Sequence, residues 1–272
     1  MGRAKEIIVK VIPAKIANEF VKKHHYSGKV ATSSTLHFGC FLDNKLHGVV
    51  SLGRPMDKSK VLPLVENTEW NEMLELNRLA FDDYLPKNSE SRCFSIVVKL
   101  IKKNAPHIKW ILSYADGCQC GDGSIYRASG FYLTSIKVNK GLFKMPNGEV
   151  VATVTLSAGA GRGKATMKRH GKSGIYESWG VTKFINHVGA KTLDGFQLRY
   201  IYLIDKSCKI TVPILPFSKI DEMGAGMYKG KKVSLQDRKT QAALPHKGEG
   251  QSFQTEGAFD STVPLNNSVT NP

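Results

Sequence analysis

The order of apolar and polar positions along the chain divides it into short elements. Residues 6–12 alternate and are rich in β-branched side chains, which predicts a strand. Residues 14–23 place Ile16, Ala17, Phe20 and Val21 at helical spacing with a lysine-rich outer face. Pro13 suits the first helical position and Gly28 the stop. Residues 36–42 and 46–52 form a predicted hairpin across Asp43-Asn44-Lys45, whose side chains tolerate the left-handed region. Residues 73–81 alternate as a further strand. Asn88 or Ser89 then caps a predicted helix over 90–103, with Phe94, Val97, Val98 and Ile101 on one stripe.

Residues 109–114 form a near-continuous apolar run, the mark of a strand buried on both faces. Asp116-Gly117 breaks it, a short helix leads to Ala128, and strands are predicted at 131–138 and 149–157. From Ala158 the texture changes. Residues 158–164 are glycine-rich and basic, with glycines at 159, 161 and 163, residues 176–187 suit a helix, 198–204 a strand, and the prolines of 212–217 an extended segment. Beyond Val233 the chain is rich in Gln, Gly, Ser, Asn and Pro and lacks periodicity, which predicts a disordered tail. The expected organisation is a core over 1–157, a basic extension packed on it over 158–232, and a tail over 233–272.

The 272 residues are 41% hydrophobic, enough for a core, and no stretch is apolar for the ~18 residues a membrane span needs. The start, Met1-Gly2-Arg3-Ala4-Lys5, runs into a strand without the apolar region of a secretory signal. The five cysteines contain no paired CxxC motif, so the expectation is a reducing cytosol without a disulfide framework or zinc ribbon. The net charge of +16 favours polyanions. Residues 151–232 hold 14 basic and 5 acidic side chains, whereas the tail holds 3 and 4. The excess therefore belongs to the predicted folded part, either as a solvated lysine-rich surface or as a nucleic-acid surface.

The order β–α–β–β followed by β–α–β–α–β resembles the Gcn5-related N-acetyltransferases. This implies an α/β (α+β) fold with a mixed, mostly antiparallel sheet and flanking helices. In such a fold the backbone N–H groups at the start of the helix after the fourth strand hold a pyrophosphate, a place matched here by Asn88, Ser89 and Ser91. The chain departs from that pattern in having no glycine between Pro86 and Ser91, which leaves the coenzyme open.

Six separated motifs carry a narrower resemblance. They are His24-His25-Tyr26-Ser27-Gly28, Leu36-His37-Phe38-Gly39, Glu75-Leu76-Asn77-Arg78-Leu79, Asn88-Ser89-Glu90-Ser91, Ser113-Tyr114-Ala115-Asp116 and Gly123-Ser124-Ile125-Tyr126-Arg127-Ala128. Together with residues 195–202 and 212–217 they resemble the Mom family of phage DNA-modification proteins. The resemblance implies addition of a methylcarbamoyl-type group to adenine N6 in phage DNA, in the cytoplasm of the bacterial host, as a shield against restriction. It carries over His25, Tyr26, Arg78, Ser91, Asp116 and Tyr126. Acetyl-CoA or a related acyl donor and iron are the cofactors it brings into view, with double-stranded DNA as partner, no membrane, and a homodimer left open.

The chemistry needs an activated donor, a base and a stabilised oxyanion, because the adenine amine is a poor nucleophile. Asp116, ending a buried strand, suits a base or metal ligand; it equally suits a turn aspartate bonding its own backbone. Tyr126 suits a donor to a departing thiolate, or a half-buried helix aromatic. His25 and Tyr26 with Asp116 offer N and O ligands of the kind iron accepts; a histidine near a helix end also gains from the dipole. Arg78 suits a phosphate or carboxylate, or a surface ion pair.

Cys118 and Cys120 have the wrong spacing for most zinc sites. Arg162, Lys164, Lys168, Arg169, Lys172, Lys231 and Lys232 are the expected phosphate contacts, with Tyr176, Trp179, Phe196, Tyr200 and Tyr202 candidates for stacking. Two competing readings follow from the same features: an acetyltransferase acting on a small-molecule or protein amine, and a non-catalytic basic DNA-binding protein.

Overall fold

The structure is a computed structural model that describes residues 3–157, 161, 163–171 and 179–237. Strand β1 (Ile8–Val11) leads to helix α1 (Ala14–His24) and the hairpin β2 (Ser34–Leu42) and β3 (Lys45–Gly53). The hairpin turn places Asp43 and Asn44 at φ 50° and 60°, the left-handed pair that matches strand twist. Pro13 is extended and precedes α1 rather than beginning it. The one-turn helix α2 (Lys58–Val61) precedes β4 (Met73–Phe81), α3 (Ser89–Asn104), β5 (Trp110–Asp116), α4 (Ser124–Ala128) and β6 (Tyr132–Val138). This element order is the one expected of the Gcn5-related fold.

The chain then leaves the main body. Strands β7 (Leu142–Lys144) and β8 (Val150–Ala152), helices α5 (Thr153–Ser157), α6 (Lys164–His170) and α7 (Val181–Val188), and strand β9 (Lys191–Thr192) form a separate unit. It has a three-stranded sheet in the order β8-β7-β9. Its own core contains Met145, Val151, Leu156, Met167, Phe184, Ile185 and Val188. Strand β10 (Phe196–Leu203) then returns to the main body, followed by α8 (Ser218–Glu222) and the small hairpin β11 (Met227–Tyr228) and β12 (Lys231–Lys232).

The main sheet runs β1-β2-β3-β4-β5-β10-β6, antiparallel at every pair except β4 with β5. Helix α3 covers one face through Phe94, Val97, Val98 and Ile101, all buried with Leu52, Leu76 and Ile111. Each such side chain contributes about 1.5–3 kcal/mol by leaving water. Helix α1 covers the other face at β3 through Ala17 and Val21, whereas Ile16 stays 44% exposed.

Two expectations change. Residues 149–157 are one short strand and then helix α5, because Val151 and Leu156 pack into the small core from a strand and a helix respectively. The division expected at 157 also moves. The separate unit is an insertion over 139–195, and β10, placed in the extension from sequence, is an interior strand of the main sheet. Asn139 closes the neck of this insertion. Buried at 4% exposure, it donates to Leu142 and Leu193 carbonyls (3.1 and 2.8 Å) and accepts from Gly141 and Leu142 N–H. Of the expected tail, residues 238–272 lie outside the described residues, as do Arg162, Lys172 and Tyr176.

Candidate active site

The parallel strands β4 and β5 pair only at Met73–Trp110, Leu74–Ile111 and Glu75–Leu112. Beyond these, β4 continues with β3 to Phe81 and β5 continues with β10 to Asp116, so the sheet opens into a cleft. The Ser113 hydroxyl reaches back across its floor to the Leu76 carbonyl (3.4 Å). A bulge in β4 sets the side chains of one wall. Ser51 pairs with Arg78 and Leu52 with Leu76, which leaves Asn77 as an extra residue. The extra residue resets the alternation, so Glu75 and Arg78 share a face.

The loop after α1 lies over that face. Arg78 donates from Nε to the Lys29 carbonyl (2.8 Å) and from Nη1 to the Asn77 carbonyl (2.6 Å), bracing the loop against β4. His25 caps α1, and its Nδ1 accepts from the Ser27 backbone N–H (3.2 Å) and lies 2.8 Å from the Ser27 hydroxyl. A backbone N–H only donates, so the neutral ring carries its proton on Nε2. Burial, with the Arg78 guanidinium beside it, lowers the His25 pKa to about 4, and the ring is neutral at pH 7. Tyr26 packs on the His25 ring (4.2 Å between centroids). Burial of its hydroxyl end, then the charges of Asp116 and Cys120, hold the phenol well above its ordinary range.

The opposite wall is carried by β5 and α4. Gly123 opens α4 at φ 87°, and a side chain there would meet the Tyr200 ring at 2.7 Å. Tyr126 follows, its ring 5.1 Å from Tyr200 and 5.2 Å from Phe131. Burial pushes its pKa up to about 12, against the opposing effect of a hydrogen bond with Ser113. Beneath α4, the buried Asp122 carboxylate accepts from Arg127 (2.9 Å) and its carbonyl from the Tyr200 hydroxyl. Neither Glu75, Ser113 nor Asp122 was assigned a role from sequence. For Glu75 the signal was the lone carboxylate in an alternating strand.

Arg78, Asp116 and Tyr126 thus all lie close enough to Tyr26 for charge on each to act on its phenol, with His25 beside Arg78. The Asp116 carboxylate is engaged by three donors. Oδ1 accepts from the Cys118 N–H (3.0 Å) and Gln197 (2.9 Å), and Oδ2 from Gln119 (2.7 Å). This is the turn aspartate, set facing the cleft. Among the described residues no group of three or more His, Cys, Asp and Glu side chains is arranged to hold a metal ion. With Asp116 held by three donors, His25 Nδ1 turned to Ser27 and a guanidinium alongside, His25, Tyr26 and Asp116 do not fit iron as a ligand set. Cys118 is buried, with its thiol raised to about 11 chiefly by that burial; Cys120 is exposed.

The start of α3 lies at a separate cavity of about 750 Å³, lined by Lys5, Lys87, Asn88, Ser91, Arg92 and Lys99 among others. Asn88 is left-handed at the helix start and caps nothing with its side chain. The Ser89 hydroxyl is buried and donates to the Pro86 carbonyl, and the Ser91 hydroxyl to the Asn88 carbonyl. The hydroxyls expected to face a phosphate are therefore committed to the loop. Arg92 Nε and Ser129 Oγ, both at this cavity, are buried without a partner among the described residues.

A second cavity of about 460 Å³ lies between Asp116 and the insertion, lined by Lys137, Lys140, Thr153 and Gln197 among others. Lys168 is exposed on α6, and Lys231 and Lys232 are exposed on β12. Arg169 is committed to Glu149 (2.9 and 3.1 Å). Of the stacking candidates, Tyr200 is fully buried and Trp179 packs on the insertion core.

A sheet opened between its parallel strands, with a basic cavity at the following helix, defines the class as a Gcn5-related transferase fold. The chain belongs to the Mom protein family, whose model matches residues 6–219. It is 30% identical over 207 residues to the methylcarbamoylase mom of Escherichia phage Mu, covering 76% of this chain and 79% of that protein. Among solved structures it is similar to the IAA acetyltransferase from Bacillus cereus ATCC 14579 (13% identity, TM-score 0.40, covering 72% of this chain and 99% of that one). It is also similar to a GNAT family acetyltransferase from Elizabethkingia anophelis with acetyl-CoA bound (14%, 0.39, 72% and 97%). Both likenesses are distant.

Proposed function

We propose that the protein is a transferase that adds a methylcarbamoyl or acyl-derived group to adenine N6 in double-stranded DNA and so protects that DNA from restriction. The observation that carries the reading is membership of the Mom family, together with a cleft in which Tyr26, Arg78, Asp116 and Tyr126 converge. In it, Tyr126 stays protonated at neutral pH and can supply a proton to a leaving group; Arg78 stays cationic and can stabilise developing negative charge.

The cavity at α3 suits an acyl donor with a polyphosphate arm, such as acetyl-CoA. Lys5, Lys87, Arg92 and Lys99 offer charge, and the helix start offers backbone N–H groups. The insertion suits the duplex. Its 57 residues hold nine basic and three acidic side chains, and Lys137 and Lys140 rim the cavity that adjoins Asp116. The host cytoplasm is the compartment such a reaction requires. The three donors on Asp116 suit that residue to an organising role at the cleft.

The test is protection. Plasmid DNA from cells making the protein should resist an endonuclease that is blocked by adenine modification. DNA from cells making Asp116→Ala or Tyr126→Phe should be cut like control DNA, with the variants still folded by circular dichroism. Equal cleavage of wild-type and control plasmid contradicts the reading.

A further inference from the structure

The hairpin β11–β12 is docked on the turn that follows β5. Tyr228 forms a bridge with Gly121, and the Gly230 N–H donates to the Cys120 carbonyl (3.2 Å). The Asp122 N–H donates to the Met227 carbonyl (3.2 Å), and the Met227 N–H to the Asp122 carboxylate (3.4 Å). Met227 is buried, and a side chain at Gly117 would meet it at 3.0 Å. A hairpin of two residues per strand has little stability of its own. These bonds to residues 120–122 fix its place.

The hairpin turn is Lys229-Gly230, at φ 48° and 73°, the left-handed pair of a tight two-residue connection. Only glycine fits at 230, because a side chain there would meet the Cys118 carbonyl oxygen at 2.7 Å. Side chains alternate along a strand, so Tyr228 and its register partner Lys231 face away from the side that Met227 buries. Tyr228 is 50% exposed, and its hydroxyl has no hydrogen-bond partner among the described residues. The Lys229 ammonium lies 5.6 Å from the Tyr228 ring centroid, within cation–π range. Lys229, Lys231 and Lys232 are all exposed. Residues 223–236 contain these three lysines and no acidic side chain.

The turn beneath the hairpin belongs to the cleft. Asp116 begins it, and Cys120 lies close enough to Tyr26 and Tyr126 for its charge to act on both phenols. Asp122 ends it, just before Gly123 opens α4. The other half-exposed tyrosines are placed differently. Tyr84 stacks on His47 and donates to Asp43 (2.7 Å), whereas Tyr26 and Tyr114 stand on the loop and the strand that bound the cleft. Tyr228 alone among these four is carried on a basic hairpin at the rim.

A base inside a duplex must leave the stack before its exocyclic amine can be reached, and this costs the stacking and pairing of that base. A flat side chain that enters the gap restores contact with the neighbouring bases, and cations beside it hold the backbone in the opened shape. Such a wedge has to be exposed, rigidly mounted, flanked by positive charge and close to the cleft that takes the base. Tyr228 meets each condition.

We propose that the β11–β12 hairpin is a wedge for duplex DNA, in which Tyr228 fills the gap left by the unstacked target adenine and Lys229, Lys231 and Lys232 hold the phosphates beside it. The proposal rests on the reading of the protein as a DNA adenine-modifying transferase. Tyr228 is a positioning residue here: it acts on the DNA around the target and takes no part in the transfer.

The experiment has three arms. In the first, fluorescence anisotropy compares full-length protein on a short intact duplex and on the same duplex with one abasic site, where the gap already exists. Wild type should bind the abasic duplex about 10-fold or more tightly than the intact one, because the unpairing is already done. Tyr228→Ala should bind the two alike, and Tyr228→Phe should restore the preference. Lys231→Ala with Lys232→Ala should weaken both complexes and lower the salt slope by about 2, with the preference kept. In the second arm, 5-bromodeoxyuridine opposite the abasic site is crosslinked to wild type by light, and the attached peptide should contain residues 227–232. In the third, modified deoxyadenosine in cellular DNA should fall about 10- to 100-fold in Tyr228→Ala, as for a lost stacking contact, and recover in Tyr228→Phe.

Equal affinity of wild type for the two duplexes overturns the wedge, as does a preference that survives in Tyr228→Ala. Crosslinks confined to other peptides also overturn it. Absence of modified adenine with wild type overturns the underlying reading instead, and the binding and crosslinking arms still decide the wedge. If Tyr228→Ala fails to fold, the wild-type preference and the crosslink position decide.

Discussion

Asp122 sits beneath α4 at 3% exposure, pairs with Arg127 at 2.9 Å and accepts from the Met227 N–H at 3.4 Å. Removing one partner of such a buried pair leaves the other charge uncompensated, at about 3–5 kcal/mol. Asp122→Ala should therefore lower stability by that order in urea unfolding and release the turn that presents Tyr126. His25 makes a pH prediction. Its folded pKa, about 4, lies below the unfolded value of 6.5, so between these values the unfolded chain binds the extra proton. This contribution costs nothing above pH 6.5 and destabilises the fold progressively as pH falls toward 4. Melting curves of wild type and His25→Asn at pH 7.5, 6 and 5 should diverge in that direction, with the variant less sensitive. At this scale the sequence motifs marked His25, Tyr26, Arg78, Asp116 and Tyr126, since each lies in a short distinctive run. Glu75 lay in one of the same runs unassigned, because the face it shares with Arg78 depends on the bulge at Asn77.

Between elements, the latch of the insertion is Glu149. It accepts from Arg169, from His170 (2.9 Å) and from Lys29 (3.4 Å), whose carbonyl accepts from Arg78. The basic helix α6 and the loop carrying Tyr26 are thus tied to one carboxylate, 28% exposed. Glu149→Gln should speed amide hydrogen exchange in residues 26–30 and 164–170 while leaving the exchange of β5 and β10 unchanged; uniform exchange everywhere would contradict the latch. Most strands and the two long helices were legible from periodicity, with β4 predicted at the bounds it has. The bulge at Asn77, the helix α5 and the neck at Asn139 were not. Each depends on partners far along the chain: β3 for the bulge, the small core for α5, and the carbonyls of Leu142 and Leu193 for Asn139.

Over the whole molecule, the charge of +16 acquires a place. Part of it is internal bracing, as at Arg78, Arg127 and Arg169, and part is exposed beside the cleft on the insertion and on β12. If the exposed part meets a duplex, affinity should fall with salt by a logarithmic slope of about 0.9 per phosphate neutralised. Lys168→Ala combined with Lys231→Ala should flatten that slope by about 1 to 2, measured by fluorescence anisotropy with a duplex at several salt concentrations. An unchanged slope would place the duplex elsewhere. The central claim, transfer of a group to the exocyclic amine of adenine in DNA, is tested most directly by mass spectrometry of nucleosides from the DNA of cells making the protein. The account predicts a heavier deoxyadenosine whose added mass stays with the base on fragmentation. Deoxyadenosine of ordinary mass throughout, with the intact protein present, would contradict it.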